Sequence, residues 1–174
     1  MPGAVFARGD GATPNTVRPE DDDFLETVHD DPANRAQSGI SLPWDETGIA
    51  AVVEEGDDSA VFLVCSEGEP RGVVVLVSID HQARTAEPGY LFHPEQRDGY
   101  ATAEAALGVG HAFDDLDLAT LSAEVVAGNA ASARVLEKLG FRAEGRFREH
   151  EYANGERVDV LQYGLLAREW DGPP

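Results

Sequence analysis

A mixed α/β fold follows from three features of the chain. Strand-length apolar runs lie between Ala60 and Phe92, helix and strand patterns alternate after Gly99, and Asn154-Gly155 separates two extended segments. Short apolar pieces at Val5–Arg8 and Thr16–Arg18 read as opening strands. Pro19-Glu20-Asp21-Asp22-Asp23 starts a helix through about Asp30, its acids favourably placed in the first turn. Residues 31–44 read as irregular, broken by Pro32, Gly39 and Pro43, and Asp45–Glu55 as a short amphipathic helix ending at Gly56. Three strands follow, Ala60–Cys65, Gly72–Asp80 and Thr85–Phe92, with Glu67-Gly68-Glu69-Pro70 as the first turn of an antiparallel meander. A helix is expected from Gly99 to Phe113, although Gly108 and Gly110 lower its propensity. Leu118–Val126 reads as a strand and Asn129–Leu139 as a helix. Phe141–Tyr152 and Arg157–Leu166 form a hairpin. No linker or repeat interrupts this order, so residues 1–174 are expected to form one domain.

Composition narrows the function. A net charge of −20 argues against nucleic-acid partners, which require basic patches. The longest apolar run, Val73–Ile79, is a strand's length and too short to span a bilayer, so no membrane partner is expected. The start Met1-Pro2-Gly3-Ala4 shows no basic and apolar leader. Cys65 is the single cysteine, inside an apolar run, and reads as a small buried residue. Together these features predict a cytoplasmic chain. The histidines show no metal spacing, so no metal is expected. Lys138 is the sole lysine among 13 basic residues. Acidic excess with lysine depletion resembles proteins of salt-saturated cytoplasms such as those of haloarchaea, where salt screens self-repulsion. Residues 1–60 carry three arginines against fourteen acids, whereas Arg134, Lys138, Arg142, Arg146, Arg148 and Arg157 crowd one short segment.

Two constellations carry chemistry. In Pro94-Glu95-Gln96-Arg97-Asp98-Gly99-Tyr100-Ala101, between a strand and a helix, glycine permits close backbone approach to a ligand. Successive amides at the helix start make an anion nest suited to a pyrophosphate. In Asn129–Phe141, Asn129 is a good N-cap, Val135, Leu136 and Leu139 share one face, and Gly140 suits the left-handed residue past a helix end. Capping alone accounts for Asn129, Gly140 and Phe141. It does not account for the distance between this helix and the glycine loop.

The ordered set Gln96-x-x-Gly99-x-Ala101, Asn129-x-x-Ser132 and Lys138-Leu139-Gly140-Phe141 resembles the GNAT acetyltransferase superfamily. The tail Glu144-Gly145-Arg146-x-Arg148, Tyr152-x-Asn154-Gly155, Asp159 and Tyr163 is similar to the ribosomal-protein alanine N-acetyltransferase branch, as is the front end Thr16-Val17-Arg18-Pro19. The resemblance implies a mostly antiparallel mixed sheet with helices on both faces. A bulge in Gly89–His93 would splay that strand from Leu121–Val126 to admit the pantetheine arm of acetyl-CoA. Phe92, Gln96, Arg97, Asp98, Gly99, Tyr100, Ala101 and Thr102 would border the cosubstrate, with backbone amides taking the pyrophosphate. Asn129 would bond the pantetheine arm, and Arg134 or Lys138 would approach the adenosine phosphates.

The implied reaction is attack of a neutral amine on a thioester, which needs a proton acceptor and a partner for the leaving thiolate. Many GNAT enzymes place a tyrosine four residues before the glycine of the Gly-Phe pair; this chain has Leu136 there. The branch resemblance points instead to Ser132 as thiolate partner and Glu151 as general base, with Trp44 and Tyr152 on the acceptor side. A carboxylate base mildly favours a weakly basic α-amine, so a protein N-terminus stands beside small-molecule amines as acceptor. A homodimer stays open, as do a non-catalytic acyl-CoA-binding module and the use of another acyl group.

Overall fold

The computed structural model describes residues 13–38, 58–66, 68–93, 101–153 and 155–174. Its strands are β1 Thr13–Thr16, β2 Ala60–Ser66, β3 Glu69–Asp80, β4 Thr85–Phe92, β5 Thr120–Val126, β6 Arg142–Ala153 and β7 Glu156–Leu166. They form one sheet in the order β1-β2-β3-β4-β5-β7-β6. Among the described strands, only β4 and β5 run parallel. A parallel neighbour requires a crossover, and the connection that contains the helix Ala101–Gly110 supplies it. The mixed, mostly antiparallel sheet expected from the sequence is therefore present.

β1 lies just upstream of the expected Thr16–Arg18 strand, and the expected strand at 5–8 and helix at 45–55 lie outside the described residues. A 3₁₀ turn at Pro19–Asp21 leads into α1, Asp22–Asp30, whose Leu25 and Val28 are buried. The expectation of an irregular segment from residue 31 is corrected by α2, Pro32–Ser38. Asp31 Oδ1 accepts the amides of Ala33 and Asn34 at 3.1 and 2.9 Å, so Asp31 caps the helix and Pro32 occupies its first position. Read as a breaker, Pro32 is in fact a starter. Asn34 then donates to the carbonyls of Val28 at 2.7 Å and Phe92 at 2.9 Å, tying α2 to α1 and to the end of β4.

α3, Ala101–Gly110, continues as a π turn at His111–Asp115, where Leu116 N–H donates to His111 carbonyl at 3.1 Å. α4, Ala130–Lys138, ends in a Schellman arrangement. Gly140 adopts φ +92°, its amide donates to Glu137 carbonyl at 3.1 Å, and Phe141 donates to Leu136 carbonyl at 3.0 Å. Phe141 folds into the core with Leu136 and Leu139, as its sequence position suggested.

The main core joins α3 and α4 to one face of the sheet through Leu76, Ala86, Val109, Leu121, Ala123, Val125, Leu136 and Leu165. α1 and α2 pack on the other face against β3, β4 and β5. Cys65 is buried on β2.

Gly108 explains why a weak helix former sits inside α3. A Cβ there would lie 2.5 Å from Val74 Cγ1, so its absence sets how closely α3 approaches the sheet. At Gly110 the nearest atom to a Cβ is Asp114 Oδ2, 3.9 Å away. Gly108→Ala is therefore expected to destabilise by about 1–3 kcal/mol through overpacking. Gly110→Ala is expected to stabilise by about 0.5–1 kcal/mol through helix propensity. Urea unfolding of both variants checks these opposite signs.

Candidate active site

β4 and β5 are paired only at Thr85↔Thr120 and Ala86↔Leu121, and then part. The gap opens into a cleft of about 270 Å³. Val75, Gly89, Leu91, Tyr90, Ala123, Glu124, Val125, Asn129, Ser132 and Leu136 line it. The parting partners are the ones expected, but the bulge is not where it was expected. β4 keeps an unbroken register with β3 from Gly72↔Phe92 to Val77↔Glu87, and the irregularity falls between Val77 and Asp80. The opening is thus made on the β5 side while β3 holds β4 straight.

α4 starts beside this gap, and its cap is also part of the cleft wall. Ser132 N–H donates to Asn129 Oδ1 at 3.1 Å, and Asn129 Nδ2 donates to Ser132 Oγ at 3.0 Å. The Tyr90 hydroxyl donates to Ser132 carbonyl at 3.4 Å. Burial holds the Tyr90 phenol above its ordinary range, opposed by a hydrogen bond with the Ser132 side chain. Asn129, Ser132 and Tyr90 therefore form one polar chain on an otherwise apolar wall, with both hydroxyls protonated near neutral pH. Such a chain suits donation toward a developing anion. Leu136, at the position where many GNAT enzymes carry tyrosine, lines the same cleft and is 3% exposed.

The structure brings together Asn129 and Ser132, and adds Tyr90 and Glu124, which the sequence reading did not single out. Tyr90 was legible only as a strand residue two positions before Phe92 in the parting strand. Phe92 ends β4 with its ring 5.3 Å from that of Tyr90. Ala101 and Thr102 stand half-buried in α3, while Gln96, Arg97, Asp98, Gly99, Tyr100 and Trp44 lie outside the described residues. Arg134 and Lys138 are exposed on α4.

Other predicted residues fall elsewhere. Glu151, half-buried on β6, pairs with Val158 of β7, the strand that stands between β6 and β5, and Glu151 is not among the residues lining the cleft. Tyr152 is 67% exposed on the same edge strand. The crowded arginines separate into two groups. Arg142 pairs with Glu169 at 2.9 Å, and Arg146 pairs with Asp159. Asp159 also accepts the Glu149 amide at 2.7 Å, and that bond, followed by Arg146, holds its carboxyl below the usual range. These arginines serve the hairpin and leave Arg134 and Lys138 as the cations of α4. Among the described residues, no group of three or more His, Cys, Asp or Glu is placed to hold a metal ion. No helix among them is long and apolar enough to cross a membrane.

A mixed sheet with a partly open parallel strand pair, and a capped helix start at the gap, defines the class of domain. Comparison with known proteins gives the class a family. Residues 15–142 match the model of the acetyltransferase (GNAT) domain, and the chain belongs to that family. A putative ribosomal N-acetyltransferase of Bacillus subtilis is 36% identical over 107 residues, covering 61% of this chain and 58% of that protein. The chain thus matches less than two thirds of that relative's length. Spermidine N(1)-acetyltransferase of Escherichia coli is 31% identical over 166 residues, covering 87% and 88%. The crystal structure of spermidine N-acetyltransferase from Vibrio cholerae, in complex with CoA and spermine, shares the fold: TM-score 0.86 at 20% identity, covering 92% and 98%.

One buried carboxyl stands close to these elements. Glu104 on α3 is 2% exposed, and burial pushes its carboxyl up to about 7, with Arg71 acting in the opposite direction. Arg71 Nε is itself buried without a hydrogen-bond partner among the described residues. The folded state therefore prefers neutral Glu104, and stability falls as pH rises from the ordinary carboxylate range through about 7. Glu104→Gln is expected to exceed the parent in stability by up to about 3 kcal/mol at pH 9, and to match it near pH 4. Chemical unfolding of both proteins across that range checks the sign.

Proposed function

We propose that this chain transfers an acetyl group from acetyl-CoA to a primary amine by direct attack on the thioester. The observation that carries this reading is the Ser132 hydroxyl, held by Asn129 inside the gap where β4 and β5 part. In this reading the gap takes the pantetheine arm. Backbone amides around Arg97–Thr102 take the pyrophosphate, Phe92 borders the arm, and Arg134 or Lys138 meets the adenosine phosphates. Ser132 and Tyr90 donate toward the thiolate as the C–S bond breaks.

The acceptor is a cationic amine in solution. The relatives named for a ribosomal substrate and for spermidine support a basic partner. Trp44 and Tyr152 would form acceptor walls, and Glu151 would act as base through water. The lysine-poor acidic composition supports a high-salt working condition.

An amine and peptide panel with acetyl-CoA in molar KCl, followed by free thiol, tests the reading; absence of thiol release across the panel would reject it. Ser132→Ala is expected to lower kcat by on the order of a hundredfold with the acetyl-CoA Kd unchanged. The fold should persist, because the amide of residue 132 still meets Asn129. Arg134→Ala is expected to raise the acetyl-CoA Kd a few-fold, and an unchanged Kd would remove Arg134 from the site. Glu151→Gln with unaffected turnover would remove Glu151 from the mechanism.

A further inference from the structure

We propose that Arg84 and Asp117 are positioning residues, which clasp the closed end of the β4/β5 opening and so set how far the two strands part at its mouth. The inference rests on the acetyl-transfer reading and deepens it by naming what holds the cleft at its working width.

Arg84 immediately precedes β4, and Asp117 lies between the π turn and β5. Arg84 Nε donates to the Asp117 carbonyl at 2.7 Å, and its guanidinium meets Asp117 Oδ1 at 2.6 Å. The Arg84 carbonyl in turn accepts the amides of Ala119 at 2.7 Å and Thr120 at 3.2 Å. Just past β7, the Ala167 amide donates to the Ala119 carbonyl at 2.9 Å. Arg84 therefore joins the β3–β4 turn, the entry to β5 and the exit of β7, directly beside the pairs Thr85↔Thr120 and Ala86↔Leu121.

Neither residue adopts its conformation without support. Arg84 has φ +60° and Asp117 φ +54°, the left-handed region that a side chain with a Cβ enters at a cost. Asp80 Oδ1 accepts the amides of Gln82 and Ala83 at 2.8 and 2.7 Å and shapes the turn that delivers Arg84. On the other side, Leu116 donates to the His111 carbonyl and Leu118 to the Ala112 carbonyl at 3.0 Å, fixing the run around Asp117 to the π turn. An exposed ion pair alone contributes little. Here the Asp117 carbonyl and the amides of Ala119 and Thr120 add main-chain contacts, which salt screens far less than the charge pair.

The place of the clasp makes small changes large. Beyond Ala86 the two strands are not paired with each other, while β3 holds β4 and β7 holds β5. Phe92 lies about 20 Å from Ala86 along β4 at about 3.3 Å per residue, so a tilt of about 5° at the closed end moves the mouth by about 1.7 Å. Gly89, Tyr90 and Leu91 ride on one arm of that lever, and Ala123, Glu124 and Val125 on the other. A displacement on this scale is enough to misplace a reacting carbonyl against the Ser132 hydroxyl.

The test compares the parent with Arg84→Ala, Arg84→Lys and Asp117→Asn in molar KCl. Both side chains are exposed, so these substitutions leave the core intact. Thiol release with an amine that the parent accepts gives the KM of each substrate, and amide hydrogen exchange follows Ala119 and Thr120. Arg84→Ala is expected to raise the acetyl-CoA KM about tenfold, to leave the amine KM as in the parent, and to speed exchange at both amides. A protein that is merely destabilised would lose kcat with its active fraction and keep both KM values. Arg84→Lys is expected to recover part of the affinity. Asp117→Asn keeps the carbonyl contact without the charge and is expected to have the smaller effect. A parental acetyl-CoA KM in Arg84→Ala, or parental exchange at Ala119 and Thr120, would overturn the assignment. If the parent itself releases no thiol, acetyl transfer fails as the reading and exchange decides the clasp. Faster exchange in Arg84→Ala then retains it; parental exchange removes it.

Discussion

Two residue pairs, Thr85↔Thr120 and Ala86↔Leu121, are the whole of the strand pairing between β4 and β5. The rest of the site depends on that brevity. Strands that part within a sheet leave amides and carbonyls facing one another without ladder partners, and a buried backbone group without a partner is costly. β3 prevents the strain from spreading, because its register with β4 is continuous alongside the opening. On the other flank β5 remains fully paired with β7 from Thr120↔Leu166 to Val126↔Val160. The opening therefore lies between two continuously paired half-sheets.

In α4 one set of residues both caps the helix and lines the cleft. Asn129 satisfies an amide at the helix start that would otherwise be orphaned, and the same carboxamide orients the Ser132 hydroxyl. At the far end the Gly140–Phe141 arrangement fixes the helix against the core. With both ends held, the wall that faces the cleft is not free to rotate. Precision at the hydroxyl comes from capping, which every helix needs in any case.

Much of this was legible in the sequence. Strand β4 matches its expected bounds at Thr85–Phe92, because Pro88 and Gly89 do not disturb the apolar alternation around them. The α4 cap, its left-handed glycine and the leucine in the usual tyrosine place were all local signals. α2 was missed because Pro32 stops a helix only when it is not first, and Asp31 decides which it is. Gly108 counted against α3 because propensity is local, whereas its reason lies across the interface at Val74. Glu124 was invisible for a related reason. An acid on the exposed side of a strand looks like ordinary alternation until the neighbouring strand departs. Which strand departs depends on sheet order, and that is not written in spacing.

The margin of the sheet has its own logic. β6 is exposed from Arg142 to Glu149 and beyond, and it carries Phe147 and Tyr152 on its open side. Its register against β7 breaks between Ala143 and Gly145 and again between Phe147 and Glu151, and Glu149 sits at φ +50°. Asp159 holds the second break by accepting the Glu149 amide, while pairing with Arg146. Bulges and charges of this kind bend an outer strand away from the straight template that sheet growth requires. A second protein arriving at β6 would consequently have to recognise its side chains, since prolonging the sheet from one molecule into the next is geometrically closed.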